Sequence, residues 1–244
     1  MRDFFFEIFI NFNQLIHKIY CIMKIKHIIT ALTLELSLSI NITAQSPATG
    51  TINGHDYVDL GLSVVWATCN IGAFSPSDYG DYFAWGEAET KSEYTIDNSA
   101  TDGKDNFTFH DAAAENWGGT WRMPTKTEYQ ELIDNCIWKW ISVDGHNGYM
   151  VTSEKNGNSI FLPAAGIRDE DFFALADTTG SYWSSSSSDK SYFSYYKDKS
   201  RVEIKNGLAQ GLSFYDDTTG LGMSPELRYG GLPIRPVAKI YLVL

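Results

Sequence analysis

The sequence predicts an α+β domain in which two short helices pack on a small, irregular antiparallel sheet joined by long loops. Three observations lead there. Thr125 and Glu128 form an S/T-x-x-E capping box directly after Pro124, and Tyr129, Leu132, Ile133 and Cys136 follow at i, i+3, i+4 and i+7. That spacing is one apolar stripe of a helix facing a core. Asn156-Gly157 separates two strand-like runs, 148–152 and 159–163, and both turn residues tolerate positive φ, which marks a hairpin. The second half of the chain otherwise consists of short β-branched and aromatic runs broken by Gly, Asp and Asn.

In chain order, residues 1–44 read as a leader. Met23-Lys24-Ile25-Lys26-His27 is a short basic start, Ile28 to Ile42 is apolar but too short to span a bilayer, and Thr43-Ala44 offers a small residue before a cut at Gln45. Met23 is the expected true start, and an uncleaved anchor is the alternative. Residues 45–54 read as a small-residue linker and 55–240 as one domain. Strands are expected at 57–60 and 63–68, broken by Gly61. From Gly72 to Gly86 the chain alternates Gly, aromatics and Asp, which suits a tightly turned segment, and the acidic stretch 87–106 reads as a surface loop. Asp111 caps a short helix over 112–117, closed by Gly118-Gly119, and the capping-box helix comes next. Further strands are expected at 181–185, 191–196, 207–215 and 234–237.

The chain holds 19 Lys and Arg against 30 Asp and Glu, a net charge of −11. Such a chain is repelled by nucleic acid and by anionic lipid, which argues against nucleic-acid partners. No membrane span is expected in the mature chain. Cys69 and Cys136 lie beyond the leader, and in an exported chain such a pair is either a disulfide or two buried thiols.

An ordered set of blocks says more than composition. Tyr57-Val58-Asp59-Leu60-Gly61-Leu62, Trp66-Ala67-Thr68-Cys69-Asn70 and Gly80-Asp81-Tyr82-Phe83-Ala84-Trp85-Gly86-Glu87 come first. Trp121-Arg122-Met123-Pro124-Thr125, Phe161-Leu162-Pro163-Ala164-Ala165-Gly166, Tyr182-Trp183-Ser184-Ser185 and Ile234-Arg235-Pro236-Val237 follow. Together they resemble the Fibrobacter succinogenes major paralogous domain of exported Bacteroidetes proteins, over nearly the whole mature chain. The resemblance implies a C-type-lectin-like fold and an exported protein, located in the periplasm, at the cell surface or in the medium. The Trp-Arg-Met-Pro-Thr block is also similar to one in formylglycine-generating enzymes and in hypervariable ligand-binding proteins of that fold. Here it has a structural reading: Pro124, Thr125 and Glu128 start a helix, Trp121 fills core volume, and Arg122 pairs with a carboxylate. Trp183 and Arg235, in later blocks, are expected to be structural too.

Catalytic motifs are few. No cysteine follows Cys136, so the late-chain thiol of a formylglycine-generating enzyme is missing. His55, His110 and His146 are scattered without metal-ligand spacing, and neither Gly-x-Ser-x-Gly nor a phosphate-cradling glycine loop occurs. No catalytic residue, metal site or cofactor is assigned. The Glu-Pro-Asn or Gln-Pro-Asp tripeptides of calcium-dependent lectins are absent, and Ser224-Pro225-Glu226 is the nearest string. A structural calcium at Asp169–Asp171 or Asp216-Asp217 therefore has no motif behind it.

The richest candidate surface is Tyr182 to Tyr196, where Trp183, Tyr192, Phe193, Tyr195 and Tyr196 sit among Ser184–Ser188. Rigid aromatic faces beside small adaptable hydroxyls are what binding loops favour. Tyr192 and Tyr196 share one strand parity and Phe193 and Tyr195 the other, so one pair is expected to face solvent. Candidate ligand contacts are Tyr192, Tyr195, Tyr196, Ser186, Ser187 and Arg168. The expected function is a non-catalytic binding module for a glycan or protein at the cell surface. Alternatives are a hydrolase or modifying enzyme whose carboxylates meet only in space, and a structural subunit of a surface assembly.

Overall fold

A computed structural model of the chain describes residues 45–195, 201–216 and 220–240. The leader, Tyr196 and Asp217 lie outside them. The elements run β1 (Gly50–Ile52), β2 (His55–Val58), β3 (Val65–Ala67), α1 (Ala112–Trp117), α2 (Lys126–Asp134), β4 (Cys136–Val143), β5 (His146–Ser153) and β6 (Ser159–Pro163). Then follow β7 (Ile167–Asp169), β8 (Phe172–Ala174), β9 (Thr179–Ser187), β10 (Tyr192–Tyr195), β11 (Arg201–Ile204), β12 (Leu208–Tyr215), β13 (Gly222–Leu227) and β14 (Val237–Ala238). Their ladders are antiparallel and build small sheets in the orders β1-β2-β3-β14, β4-β5-β6, β13-β12-β9, β7-β8 and β10-β11.

This overturns the expected α+β, C-type-lectin-like arrangement of two helices on one small sheet. The chain is mostly β, with several small antiparallel sheets and a curled half-barrel. The helices form where the sequence places them but stay short, at 6 and 9 residues. Asp111 caps α1 by accepting the Ala113 and Ala114 N–H groups at 3.0 Å, and Gly118, at φ 64°, closes it. In α2 the Thr125 hydroxyl accepts the Glu128 N–H at 3.2 Å while Glu128 accepts the Thr125 N–H at 2.8 Å.

The helix then stops at Asn135, so Cys136 opens β4 instead of ending the helical stripe. Ile137-Trp138-Lys139-Trp140-Ile141 prefers a pleated strand, and the ladder to β5 sets Cys136 opposite Ser153. Residues 45–54, read as a linker, also join the fold. Ser46 donates its N–H to the Ser159 carbonyl at 3.0 Å, and β1 pairs with β2.

Apolar side chains gather in two large clusters. One holds Trp66, Tyr129, Leu132, Tyr149, Tyr182 and Phe214, the other Phe83, Trp85, Trp117, Trp121, Met123 and Trp183. Buried indoles in the second are tied to distant backbone. Trp183 donates to the Phe83 carbonyl at 2.7 Å, Trp85 to Ser184 at 2.9 Å and Trp121 to Ile52 at 2.8 Å. Each ring thus supplies apolar volume without stranding its N–H.

Arg235 is fully buried and has no carboxylate partner among the described residues. Its guanidinium donates to Asn70 Oδ1 at 2.8 Å and to the Ala67, Thr68 and Phe161 carbonyls at 3.1, 2.8 and 3.0 Å. Arg122 forks onto Glu128, its two amino groups 2.8 and 2.5 Å from the carboxylate oxygens. Cys69 and Cys136 are free thiols, so the disulfide alternative is set aside. Cys136 packs in the apolar cluster with Trp66 and Leu132, and burial pushes its thiol up to about 12.

Candidate functional site

Four segments far apart in sequence meet around Tyr229. The β7–β8 hairpin turns at Glu170, which holds φ 53° and exchanges backbone hydrogen bonds with Tyr94 at 2.8 and 2.9 Å. A left-handed non-glycine residue is strained, and this pair of bonds holds it in place. Arg168 exchanges backbone bonds with Gly231, both at 2.9 Å. A Cβ on Gly231 would lie 2.8 Å from the Tyr94 ring, so glycine allows that close approach. The Tyr94 hydroxyl reaches on to the Tyr82 carbonyl at 2.5 Å.

The β10–β11 hairpin forms the opposite side. Tyr192 lies over Gly207, where an added Cβ would stand 2.3 Å from its ring, and its hydroxyl donates to Asp102 Oδ1 at 3.1 Å. Beneath, Arg228 is buried and donates to the Leu208 and Thr101 carbonyls at 3.1 and 3.3 Å. Its guanidinium stacks 4.4 Å over Trp85.

Two clefts open on either side of Tyr229. The larger, about 270 Å³, is lined by Thr95, Ile96, Asp97, Glu170, Tyr192, Ser194 and Tyr229. The smaller, about 70 Å³, is lined by Arg168, Asp169, Glu226, Leu227 and their neighbours. Burial raises the Glu226 carboxyl above its usual range. The Arg168 guanidinium lies 5.1 and 5.2 Å from the centres of the Tyr82 and Phe173 rings. A wider cleft of about 380 Å³ at Asp81, Glu89 and Asn116 has only Phe83 as an aromatic, and that side chain is buried. The larger cleft at Tyr229 joins polar groups to two tyrosine rings.

Of the sequence candidates, the structure brings Tyr192 and Arg168 to these neighbouring clefts. Strand parity resolves in favour of Tyr192 and Ser194 lining the larger one, while Phe193 is 48% exposed with Arg201 stacked 3.6 Å over its ring. Tyr195 pairs with Arg201 along the hairpin backbone. Ser186 and Ser187 do not line either cleft. Ser186 accepts the Lys126 N–H at 3.0 Å near the start of α2, and Ser187 is exposed at the end of β9. The block residues stand in the scaffold: Trp121, Pro124 and Trp183 are buried, and Thr125 and Glu128 cap α2.

Sequence reasoning missed Tyr229, Asp97 and Asp102 as site residues. Asp169, Glu170 and Asp171 are exposed, and Asp169 and Glu170 line different clefts beside Tyr229. Alternation along the hairpin was the one available signal. Among the described residues no group of three or more His, Cys, Asp and Glu side chains is gathered to hold a metal ion. Nor is any helix among them long and apolar enough to cross a membrane. No protein-family model, curated protein or solved structure matches the chain.

Proposed function

We propose that this chain is an exported, non-catalytic binding module for a ligand displayed at the cell surface, a glycan or a protein. The observation that carries this reading is the cleft at Tyr229, where the ring faces of Tyr192 and Tyr229 stand beside the Asp97 and Glu170 carboxylates and the Thr95 and Ser194 hydroxyls. Aromatic area with a few fixed polar groups is the usual make-up of a recognition site. Export, and kinship with the Fibrobacter succinogenes major paralogous domain, rest on the leader and the ordered motif blocks and belong to the same proposal.

A hydrolase reading would use Glu226 as a carboxylic acid and Asp169 as its charged partner in the smaller cleft. Its volume of about 70 Å³ argues against this. An engineered cavity of about 150 Å³ holds only a benzene ring, so a sugar flanked by two carboxylates does not fit.

The test is a screen of the chain against a glycan array and a panel of surface proteins, with calcium and with chelator, run beside Tyr229→Ala. A specific ligand lost in the variant supports the module. Turnover of a glycan or peptide in the same screen would replace it with an enzyme.

A further inference from the structure

Building on the binding-module reading, the chemistry of the larger cleft also specifies what part of a partner enters it. Asp97 and Glu170 bring two carboxylates, Tyr192 and Tyr229 bring two ring faces, and among the described residues no Lys or Arg lines the cavity. Three neighbouring cations among the described residues are engaged elsewhere. Lys91 bonds Glu87 at 2.5 Å and the Asn98 carbonyl at 2.8 Å, Lys104 bonds the Ser99 carbonyl at 2.6 Å, and Arg228 is stacked on Trp85.

Behind the cleft lies a further acid. Asp102 is 4% exposed, and one of its oxygens accepts the Tyr192 hydroxyl while Oδ2 has no hydrogen-bond partner. The Tyr229 phenol registers the resulting field. It is pushed up to about 12, by burial first and then by the Asp169, Asp102 and Glu170 charges. Negative potential, π faces and hydroxyl acceptors favour a ligand cation. A volume of about 270 Å³ admits a long aliphatic side chain together with its charged head.

We infer that the cleft between Asp97, Glu170, Tyr192 and Tyr229 captures a lysine or arginine side chain presented by a partner protein. The carboxylates receive the head group, and the tyrosine faces cover the methylene stem.

The probe is a fluorescent peptide with spaced lysines, titrated against the full chain by anisotropy, with its ε-acetylated counterpart as control. Acetylation removes the charge at nearly constant length, and the expected result is binding about tenfold weaker. Asp97→Asn combined with Glu170→Gln should weaken the lysine peptide by a similar factor and flatten its salt dependence. A distant pair of equal charge change, Asp134→Asn with Glu154→Gln, should leave it within about twofold. Equal binding of the acetylated peptide, no binding, or equal loss from the distant pair would overturn the assignment. A neutral glycan bound by the chain and lost in Tyr229→Ala, with no preference for charged lysine, sinks this inference and leaves the binding module standing. No ligand in either experiment removes both.

Discussion

The Tyr192 hydroxyl donates to Asp102 Oδ1 at 3.1 Å, joining a β-hairpin to a loop 90 residues earlier in the chain. Asp102 is buried, and its own loop is pinned by Arg228 through the Thr101 carbonyl. One phenol therefore holds β10 against the scaffold and also fixes the ring that lines the cleft. Tyr192→Phe removes this bond while keeping the ring. The expected cost is about 1 kcal/mol, more if the Asp102 oxygen finds no water. Hydrogen exchange should speed up in Tyr192–Tyr195 and Arg201–Ile204 before the β4-β5-β6 sheet responds. Unchanged exchange in the hairpin would show that another contact holds it.

The Arg122–Glu128 pair makes a pH prediction of definite sign. Burial alone raises the Glu128 carboxyl, but the Arg122 guanidinium and the Thr125 N–H outweigh it, leaving the pKa below the usual glutamate value of 4.5. A carboxyl lowered in the folded state adds stability above its unfolded value and loses it as pH falls through the folded one. Glu128→Gln keeps the capping acceptor but not the charge, and at neutral pH it should cost about 1 kcal/mol. That gap should close as the pH falls below 4.5. Denaturant melts of both proteins across that range would check it.

Arg235 makes the steepest stability prediction. A buried guanidinium satisfied by Asn70 and three carbonyls leaves all four acceptors stranded when it is cut back. Arg235→Met should destabilise the fold by about 3 kcal/mol or more. Arg235→Lys should rescue only part of that loss, because an ammonium cannot reproduce the fork. Equal stability of wild type and Arg235→Met in denaturant would contradict the account.

The thiols offer a direct check on the choice between a disulfide and two free thiols. Cys69 is partly exposed and Cys136 is buried with a raised pKa. Without reductant, native protein starting at Gln45 should react with a thiol reagent at Cys69 alone, and the denatured protein at both Cys69 and Cys136. No reaction in denaturant would mean that a bridge exists.

What the sequence made legible was local. The caps at Asp111 and Thr125 and the Asn156-Gly157 turn are read from residues within a few positions of each other, and each stands where expected. The balance of helix and strand was not legible in the same way. The helical stripe ran on to Cys136 because Ile133 and Cys136 fit the helical period, yet the ladder to β5 claims Cys136 for a strand. β13 contains Pro225, which in sequence suggests a break, but β13 borders its sheet, where a missing N–H is tolerated. The candidate site was half legible. Tyr192 stood out by composition, whereas Tyr229, Asp97 and Glu170 meet only through backbone pairing across long separations, which leaves no periodic trace.

The central claim is that the cleft beside Tyr229 is the ligand site, and paired affinities test it most directly. For a ligand recovered in the surface screen, dissociation constants would be measured for wild type, Tyr229→Ala and Phe74→Ala. Phe74 is 99% exposed and lines neither cleft. The account predicts that Tyr229→Ala weakens binding at least about tenfold while Phe74→Ala stays within about twofold. Full affinity in Tyr229→Ala, with the thermal melt intact, would place the ligand elsewhere and contradict it.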